Sequence, residues 1–247
     1  MSKQISAKTF FISDTHLDPE RPQATTLLLE TLANRVAGAD CLYLLGDIFE
    51  YWIGDDAVSD MASEVARATT ALTETGTKVY FMPGNRDFLL GKAYATLANW
   101  EIIADPTEIV INDTPILLMH GDSLCTDDLA YQTFRKQVRD PAWQQDFLSR
   151  TIVERINMAK QARAESKDYT ADADSNIMDV NTTAVLHAFA ESNAKILIHG
   201  HTHRPDTHSL AIEGESLQRI VLGDWYQGGW LIEASKNGLE LIQIDQQ

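Results

Sequence analysis

Five short apolar runs in this chain each stop at a polar turn, and every one of those turns carries Asp, Asn or His. Thr9 to Ser13 leads into Asp14-Thr15-His16, and Cys41 to Leu45 leads into Gly46-Asp47. Lys78 to Met82 leads into Pro83-Gly84-Asn85-Arg86-Asp87, and Ile116 to Met119 into His120-Gly121-Asp122. Lys195 to Ile198 leads into His199-Gly200-His201-Thr202-His203. Short runs rich in aliphatic and aromatic residues, bounded by turn residues, read as strands covered on both faces. Sites in α/β sheets collect at the C-terminal ends of such strands, so this pattern constrains fold and site together. Taken singly, each turn has a plain reading. Gly-Asp and Gly-Asn are common turn chemistry, and a lone Asp-x-His is usually incidental. Five in series, each after an apolar strand, point to one convergent site.

The stretches between the runs complete the outline. Gln23 to Val36 has helical spacing, with Leu27, Leu28, Leu32 and Val36 on one face. Ser59 to Thr75 reads as a helix stopped by Gly76. Glu108 to Asn112 and Ile116 to Met119 bracket a turn predicted at Asp113-Thr114-Pro115. Arg219 to Ile244 reads as several antiparallel strands punctuated by Gly223, Gly228, Gly229 and Asn237-Gly238. Alternating strands and helices followed mostly by strands predict an α/β protein, with two sheets packed together and helices outside. Asp127 to about Val180 breaks this pattern and reads as helical, with a polar middle from Ser166 to Ser175. Its apolar stripe is Phe147, Leu148, Ile152, Val153 and Ile156, for which core packing is the plainest role. The expectation is one domain over 1–247 with a helical insertion at about 127–180, a size that buries a real core.

Charge and cysteine content narrow the setting. The net charge of −16 argues against nucleic acid as a partner. Between Tyr131 and Lys167, eight cations face four acids, a local +4 that leaves −20 on the rest. This basic stretch lies between two of the polar turns, so it is a candidate lid or a contact for an anionic surface. No apolar run is long enough to span a bilayer, and Met1 to Lys8 lacks the apolar core of an export signal. Cys41 and Cys125 are too few for a disulfide scaffold, which fits a reducing cytoplasmic setting.

Carboxylate, imidazole and amide oxygen together suit manganese, iron or zinc, and no thiolate set suggests a structural zinc site. Two cations sharing one carboxylate, about 3.5–4 Å apart, clamp phosphoryl oxygens and acidify water between them. Such a centre needs no protein nucleophile. The chain has neither a Gly-x-Ser-x-Gly elbow nor a Walker phosphate loop.

From Thr9 to Arg204 the motifs resemble the calcineurin-like metallophosphoesterase superfamily. Longer strings are similar to one bacterial branch of it: Leu45-Gly46-Asp47-Ile48-Phe49-Glu50-Tyr51-Trp52-Ile53-Gly54-Asp55-Asp56, Gly84 to Gly91, His120 to Asp128, Ile177 to Asn181 and His199 to Pro205. That branch cleaves the diphosphate of a lipid-linked nucleotide sugar, an acylated UDP-glucosamine of lipid A biosynthesis. The resemblance implies a four-layer αββα sandwich with the helical insertion as a lid. It implies two divalent cations, most simply Mn2+. Asp14, His16, Asp47 and His203 would hold one, and Asp47, Asn85, His120 and His201 the other. It places substrate contacts at Asn85, Arg86, Asp128, Arg163, Ser166, Thr170 and His201. It also implies a peripheral location on the anionic cytoplasmic face of the inner membrane. Thr170 stands where the family places Asn, and Ala173 where it places Lys.

Arg86 is informative by itself. Relatives elsewhere in the superfamily carry His there, as an acid for an alkoxide leaving group. A guanidinium stabilises developing charge but does not give up its proton. That suits a leaving sugar phosphate, whose second pKa of roughly 6 needs no acid. The expected catalytic role of Arg86 is therefore charge stabilisation, with a hydroxide on the cations as nucleophile. Two other readings remain open from the residues: a phosphodiesterase acting on soluble nucleotides, and a scaffold that has lost catalysis.

Overall fold

The computed structural model describes residues 8–172, 178–212 and 214–245, without the side chains of 167–172 and 212. Among the described residues, eleven strands form two sheets. The first sheet contains β1 (Thr9–Ile12), β2 (Cys41–Leu44), β3 (Lys78–Phe81), β4 (Trp100–Ile102), β10 (Gly229–Ser235) and β11 (Gly238–Ile244), in the order β11-β10-β1-β2-β3-β4. The second contains β5 (Thr107–Ile111), β6 (Thr114–Leu118), β7 (Ile196–His199), β8 (Asp206–Ile212) and β9 (Glu215–Val221), in the order β5-β6-β7-β9-β8. β1 to β4 are parallel to one another, as are β6, β7 and β9, while hairpin strands β11, β5 and β8 form the edges other than β4.

Alternation along each strand builds the layers. Phe10 and Ile12 of β1, with Leu42, Leu44, Val79 and Phe81, join the cluster packed by α1 (Pro22–Thr31), α2 (Asp60–Glu74) and α3 (Lys92–Ala98). Phe11, Tyr43, Ile116, Leu118, Ile198 and Ile220 form a separate cluster between the sheets. Leu117, Met119 and Leu197 pack with Val185 and Phe189 of α7 (Thr182–Ala190) on the far side. The order is helix, sheet, sheet, helix: the four-layer αββα sandwich. Each fully buried Leu or Phe adds about 1.5–3 kcal/mol, so three clusters of such residues hold the frame rigid.

Three helices lie between β6 and α7: α4 (Leu129–Val138), α5 (Pro141–Ser149) and α6 (Ile152–Asp172). Asp128 caps α4 by accepting from Tyr131 N, and Asp140 caps α5 by accepting from Ala142 N and Trp143 N. The expected apolar stripe divides. Phe147 is buried and Ile156 packs against the first cluster, whereas Leu148, Ile152 and Val153 are exposed. The basic residues divide too. Arg155 is 2% exposed and bonds Ile53 O at 2.6 Å and Asp56 Oδ1 at 2.7 Å. Arg135, Arg139 and Arg163 also turn onto internal carboxylates. No helix among the described residues is long and apolar enough to cross a membrane.

Several elements differ from expectation. The hairpin turn is Asn112-Asp113, both at left-handed φ, one residue earlier than expected. Pro115 lies inside β6 opposite Val110, at a margin where β7 has not yet joined. The helix predicted to Val36 finishes as a π-helical turn over Leu32–Val36. Short α3 and β4, and the polar-alternating β8, carry too little apolar pattern to be read in advance.

Candidate metal centre

The five polar turns converge at one end of the two sheets. Their backbones are stitched together directly. Asp14 N donates to Gly46 O at 3.1 Å, His16 N to Asp47 O at 3.0 Å, and Gly200 N to His120 O at 2.9 Å. His201 N donates to both carboxylate oxygens of Asp14, at 3.1 and 3.0 Å. Asp14, His16, Asp47, His201 and His203 all adopt left-handed φ, between +45° and +65°. Each such residue costs on the order of 1 kcal/mol, which turns a side chain back across the strand ends. Two glycines allow the close approach. A Cβ on Gly84 would collide with Asp47 Oδ1, and one on Gly46 would lie 2.6 Å from Gly84 Cα and from His120 Nδ1.

Six of the seven predicted donors fall into two groups, with ligand atoms inside each group within 4.8 Å of one another. Asp14, His16 and His203 form the first group, and Asp47, His120 and His201 the second. Asp47 also reaches the first group: its Oδ2 is 3.8 Å from His16 Nε2, while its Oδ1 is 3.7 Å from His120 Nε2. Asn85 completes the second, with its Oδ1 2.8 Å from both His120 Nε2 and His201 Nδ1. In the first, His16 Nε2 and His203 Nε2 are 3.0 Å apart, and His203 Nε2 is 3.5 Å from Asp14 Oδ1.

The surroundings select which imidazole nitrogen faces inward. His120 Nδ1 sits 2.9 Å from Leu45 O, so that nitrogen carries the proton and Nε2 presents a lone pair. His16 Nδ1 faces Glu50 Oε2 at 3.2 Å, and His203 Nδ1 faces Asp224 Oδ2 at 3.6 Å. His199, at the end of β7, is fully buried. It spans Gly200 O at 2.9 Å and Arg219 NH1 at 3.1 Å, so it fixes the turn that carries His201. Burial pushes the His199 imidazole down to about 3 and keeps it neutral. Convergent lone pairs, a shared carboxylate and backed imidazoles are what a pair of divalent cations requires.

The field around the donors is negative. Burial alone would raise the Asp14 carboxyl, but His203, His120 and His16 hold it well below the usual range. Burial opposes protonation of His120, yet Asp47, Asp122 and Asp14 lift it to about 9. Burial and the Asp47 charge raise Asp87 to about 7, against hydrogen bonds from Gly84 N and Ile48 N. Asp87 does not pair with Arg86 on the surface. It is wholly buried and accepts from Gly84 N at 2.9 Å, Ile48 N at 2.8 Å and Asp47 N at 3.2 Å, joining two ligand turns.

Of the expected substrate contacts, Asn85 and His201 belong to the second group, Asp128 caps α4, and Arg86 and Arg163 reach Glu50 behind the first group. Arg163 of α6 bonds Glu50, and Arg86 also acts on the Glu50 charge. Arg86 N donates to Asp47 Oδ1 at 2.8 Å, while its buried Nε has no protein acceptor among the described residues. Ser166 is half-buried on α6, three residues beyond Arg163. The side chain of Thr170, and Ala173 altogether, lie outside the described residues. Three residues to which the sequence assigns no role also stand here: Glu50, Arg21 and Tyr226. Arg21 NH2 donates to His16 O at 2.6 Å and its guanidinium lies 4.5 Å over the Tyr226 ring, which stacks on His16. Nothing in their spacing marks them; only the fold places them behind a ligand. Cys125 is buried, and burial with nearby carboxylates pushes its thiol up to about 12, so it is no nucleophile.

With this geometry the chain belongs to the calcineurin-like phosphoesterase family, whose model matches residues 7–205. It is thus a hydrolase of a class that works with divalent metal. Among curated proteins it is 48% identical to a UDP-2,3-diacylglucosamine hydrolase of Xanthomonas campestris pv. campestris, over 96% of this chain and 98% of that one. It is 47% identical to a protein of the same name from Stenotrophomonas maltophilia, over 94% of this chain and 97% of that one.

Proposed function

We propose that this protein is a manganese-dependent enzyme that hydrolyses the diphosphate of UDP-2,3-diacylglucosamine, giving UMP and 2,3-diacylglucosamine 1-phosphate. The observation that supports this reading is that Arg86 and Arg163 both act on Glu50, which faces His16 beside the two donor groups. Near-half identity along almost the full length of relatives bearing that substrate's name supports it. Asp14, His16, Asp47 and His203 would hold one cation and Asp47, Asn85, His120 and His201 the other. When bound, the cations supply positive charge to the phosphoryl oxygens and acidify water.

The chain's own residues do the rest. Arg86, whose Nε has no protein acceptor among the described residues, binds a phosphoryl oxygen and stabilises the charge that develops there. Arg163 and Ser166 approach from α6 and orient the diphosphate, with Asp128 and Thr170 completing the substrate contacts. The sugar phosphate leaves as an anion and needs no proton. Exposed Leu129, Phe134, Leu148, Ile152 and Val153 provide an apolar face for acyl chains at an anionic inner-membrane surface, on its cytoplasmic side.

Product analysis in water enriched in oxygen-18 tests the reading. With manganese present, the label is expected in UMP, placing attack on the uridine-side phosphorus, and Asp47→Ala is expected to be inactive. Label in the lipid phosphate would overturn the assigned phosphorus. Equal turnover of a soluble dinucleoside diphosphate would favour a general nucleotide pyrophosphatase.

A further inference from the structure

Arg139 stands where α4 ends and α5 begins, with no slack on either side. It is the C-cap of α4, its N–H donating to Arg135 O at 3.1 Å, and Asp140 immediately caps α5. Its guanidinium leaves the insertion and enters the sandwich. NH2 donates to Gly84 O at 3.0 Å and approaches Pro83 O at 3.4 Å. The same nitrogen is 3.8 Å from Asp122 Oδ2, and the guanidinium carbon is 5.3 Å from the centre of the Phe88 ring. Asp122 is itself fully buried and bound by Arg135 Nε at 2.8 Å and Tyr131 OH at 2.7 Å.

Those contacts belong to two turns from different sheets. Pro83 and Gly84 precede Asn85 at the end of β3 in the first sheet. Asp122 follows His120 at the end of β6 in the second. Asn85 and His120 must meet across the gap between the sheets, and their donor atoms do so at 2.8 Å. A sheet-to-sheet distance is set by packing, which is non-directional; it does not by itself fix two side chains to a fraction of an ångström. A guanidinium nitrogen that donates to a carbonyl of one turn and lies within ion-pair distance of a carboxylate of the other supplies that direction.

We propose that Arg139 is a positioning residue: a cross-sheet strut that sets the spacing of Asn85 and His120, and so the affinity of the second half of the metal centre alone. This rests on the two-cation reading above. A plainer role would be only to anchor α4 and α5 to the sandwich, which lowers stability but leaves both cations alike.

The test uses the full chain loaded with manganese and dialysed against graded manganese, followed by calorimetry and electron paramagnetic resonance. Wild-type protein is expected to bind two cations and show a spin-coupled pair. Arg139→Lys keeps the charge but loses the planar guanidinium that places NH2 on Gly84 O and lies near the Phe88 ring. It is expected to bind one cation as wild type does and the other about 10–100-fold more weakly, with an uncoupled signal at intermediate manganese. In a His16→Ala background the remaining cation should weaken further with Arg139→Lys, and in a His120→Ala background it should not. Arg139→Lys and Arg139→Gln proteins that are less heat-stable yet bind two cations with wild-type affinity would overturn the strut. Wild-type protein that takes up only one cation would overturn the two-cation reading itself.

Discussion

The two halves of the metal centre are built by different means. Asp14, His16 and His203 are placed by backbone strain, each held at left-handed φ, and are then backed from the open side by Glu50, Arg21, Tyr226 and Arg163. In the second half Asp47 and His201 share that φ, but Asn85 and His120 keep ordinary φ. They are placed by close approach of glycine backbone and by buried carboxylates, Asp87 and Asp122, deep between the sheets. His203 retains 27% side-chain exposure and His120 has none. The first half is therefore coupled to α6 of the insertion through Arg163 and Glu50, and the second to α4 through Arg135 and Arg139.

The largest effect should come from the residue that belongs to both. Asp47→Ala removes the shared carboxylate and leaves His16 and His120 without a common partner. Loss of metal-borne charge stabilisation is worth several kcal/mol, so kcat/KM is expected to fall by on the order of 10³-fold or more. A steady-state assay at saturating manganese checks this; a loss under tenfold would mean that the halves work independently.

Glu50→Gln tests the open half. The carboxylate faces His16 Nδ1 at 3.2 Å and takes Arg163, and the amide keeps its shape without its charge. One cation is expected to weaken about 10–100-fold, with the other unchanged. Combined with Arg139→Lys, the two effects should add, because the sites of change share no contact. Failure to add in calorimetric titration would erase the distinction between halves.

Much of this centre is legible in the sequence, for a physical reason. Buried parallel strands advertise themselves as unbroken apolar runs, and their ends are where ligands sit, so position alone finds Asp14, Asp47, Asn85, His120 and His201. The αββα order follows from the same runs. What supports the ligands is not legible. Glu50 lies within the string from Leu45 to Asp56 but points back at a different turn, and Tyr226 is far along the chain in a glycine-rich tail. Nothing in its neighbours tells that Asp87 accepts from four backbone N–H groups, three of them about 40 residues earlier in the chain. The basic insertion misleads in the opposite direction. Its charge suggests an outward-facing surface, yet Arg135, Arg139, Arg155 and Arg163 turn inward, because partners 13 to 113 residues away are invisible to local composition.

Arg155 measures how firmly the insertion is fixed beside the open half. It bonds Ile53 O and Asp56, and a side chain on Gly54 would strike it. Arg155→Met keeps the apolar stem but leaves Ile53 O without its donor. A buried unpaired carbonyl costs roughly 1–3 kcal/mol. Denaturant unfolding should show that loss. KM should rise while kcat stays within about threefold, since Arg163 and Ser166, the proposed substrate contacts, are presented by the same helix. A fall in kcat with unchanged KM would mean that α6 positions the cations as well.

The smallest expected effect probes the rigid half. Cys125 lies just past Asp122, with Sγ 3.9 Å from Gly121 O and 3.7 Å from Met178 O. Burial first, then the charges of Asp122, Asp179 and Asp128, push its thiol from an ordinary 9.0 up to about 12. A rise of that size lowers the thiolate fraction by roughly 10³-fold, and thiolate is the reactive form. Alkylation of the native protein at neutral pH should therefore leave Cys125 unmodified until unfolding, while half-exposed Cys41 reacts first. Cys125→Ala should change kcat/KM by less than about twofold. If Cys125 instead alkylates in the native state as fast as Cys41, the turn from His120 to Cys125 opens readily. The deep half would then owe its order to the cations it binds and not to the frame around it.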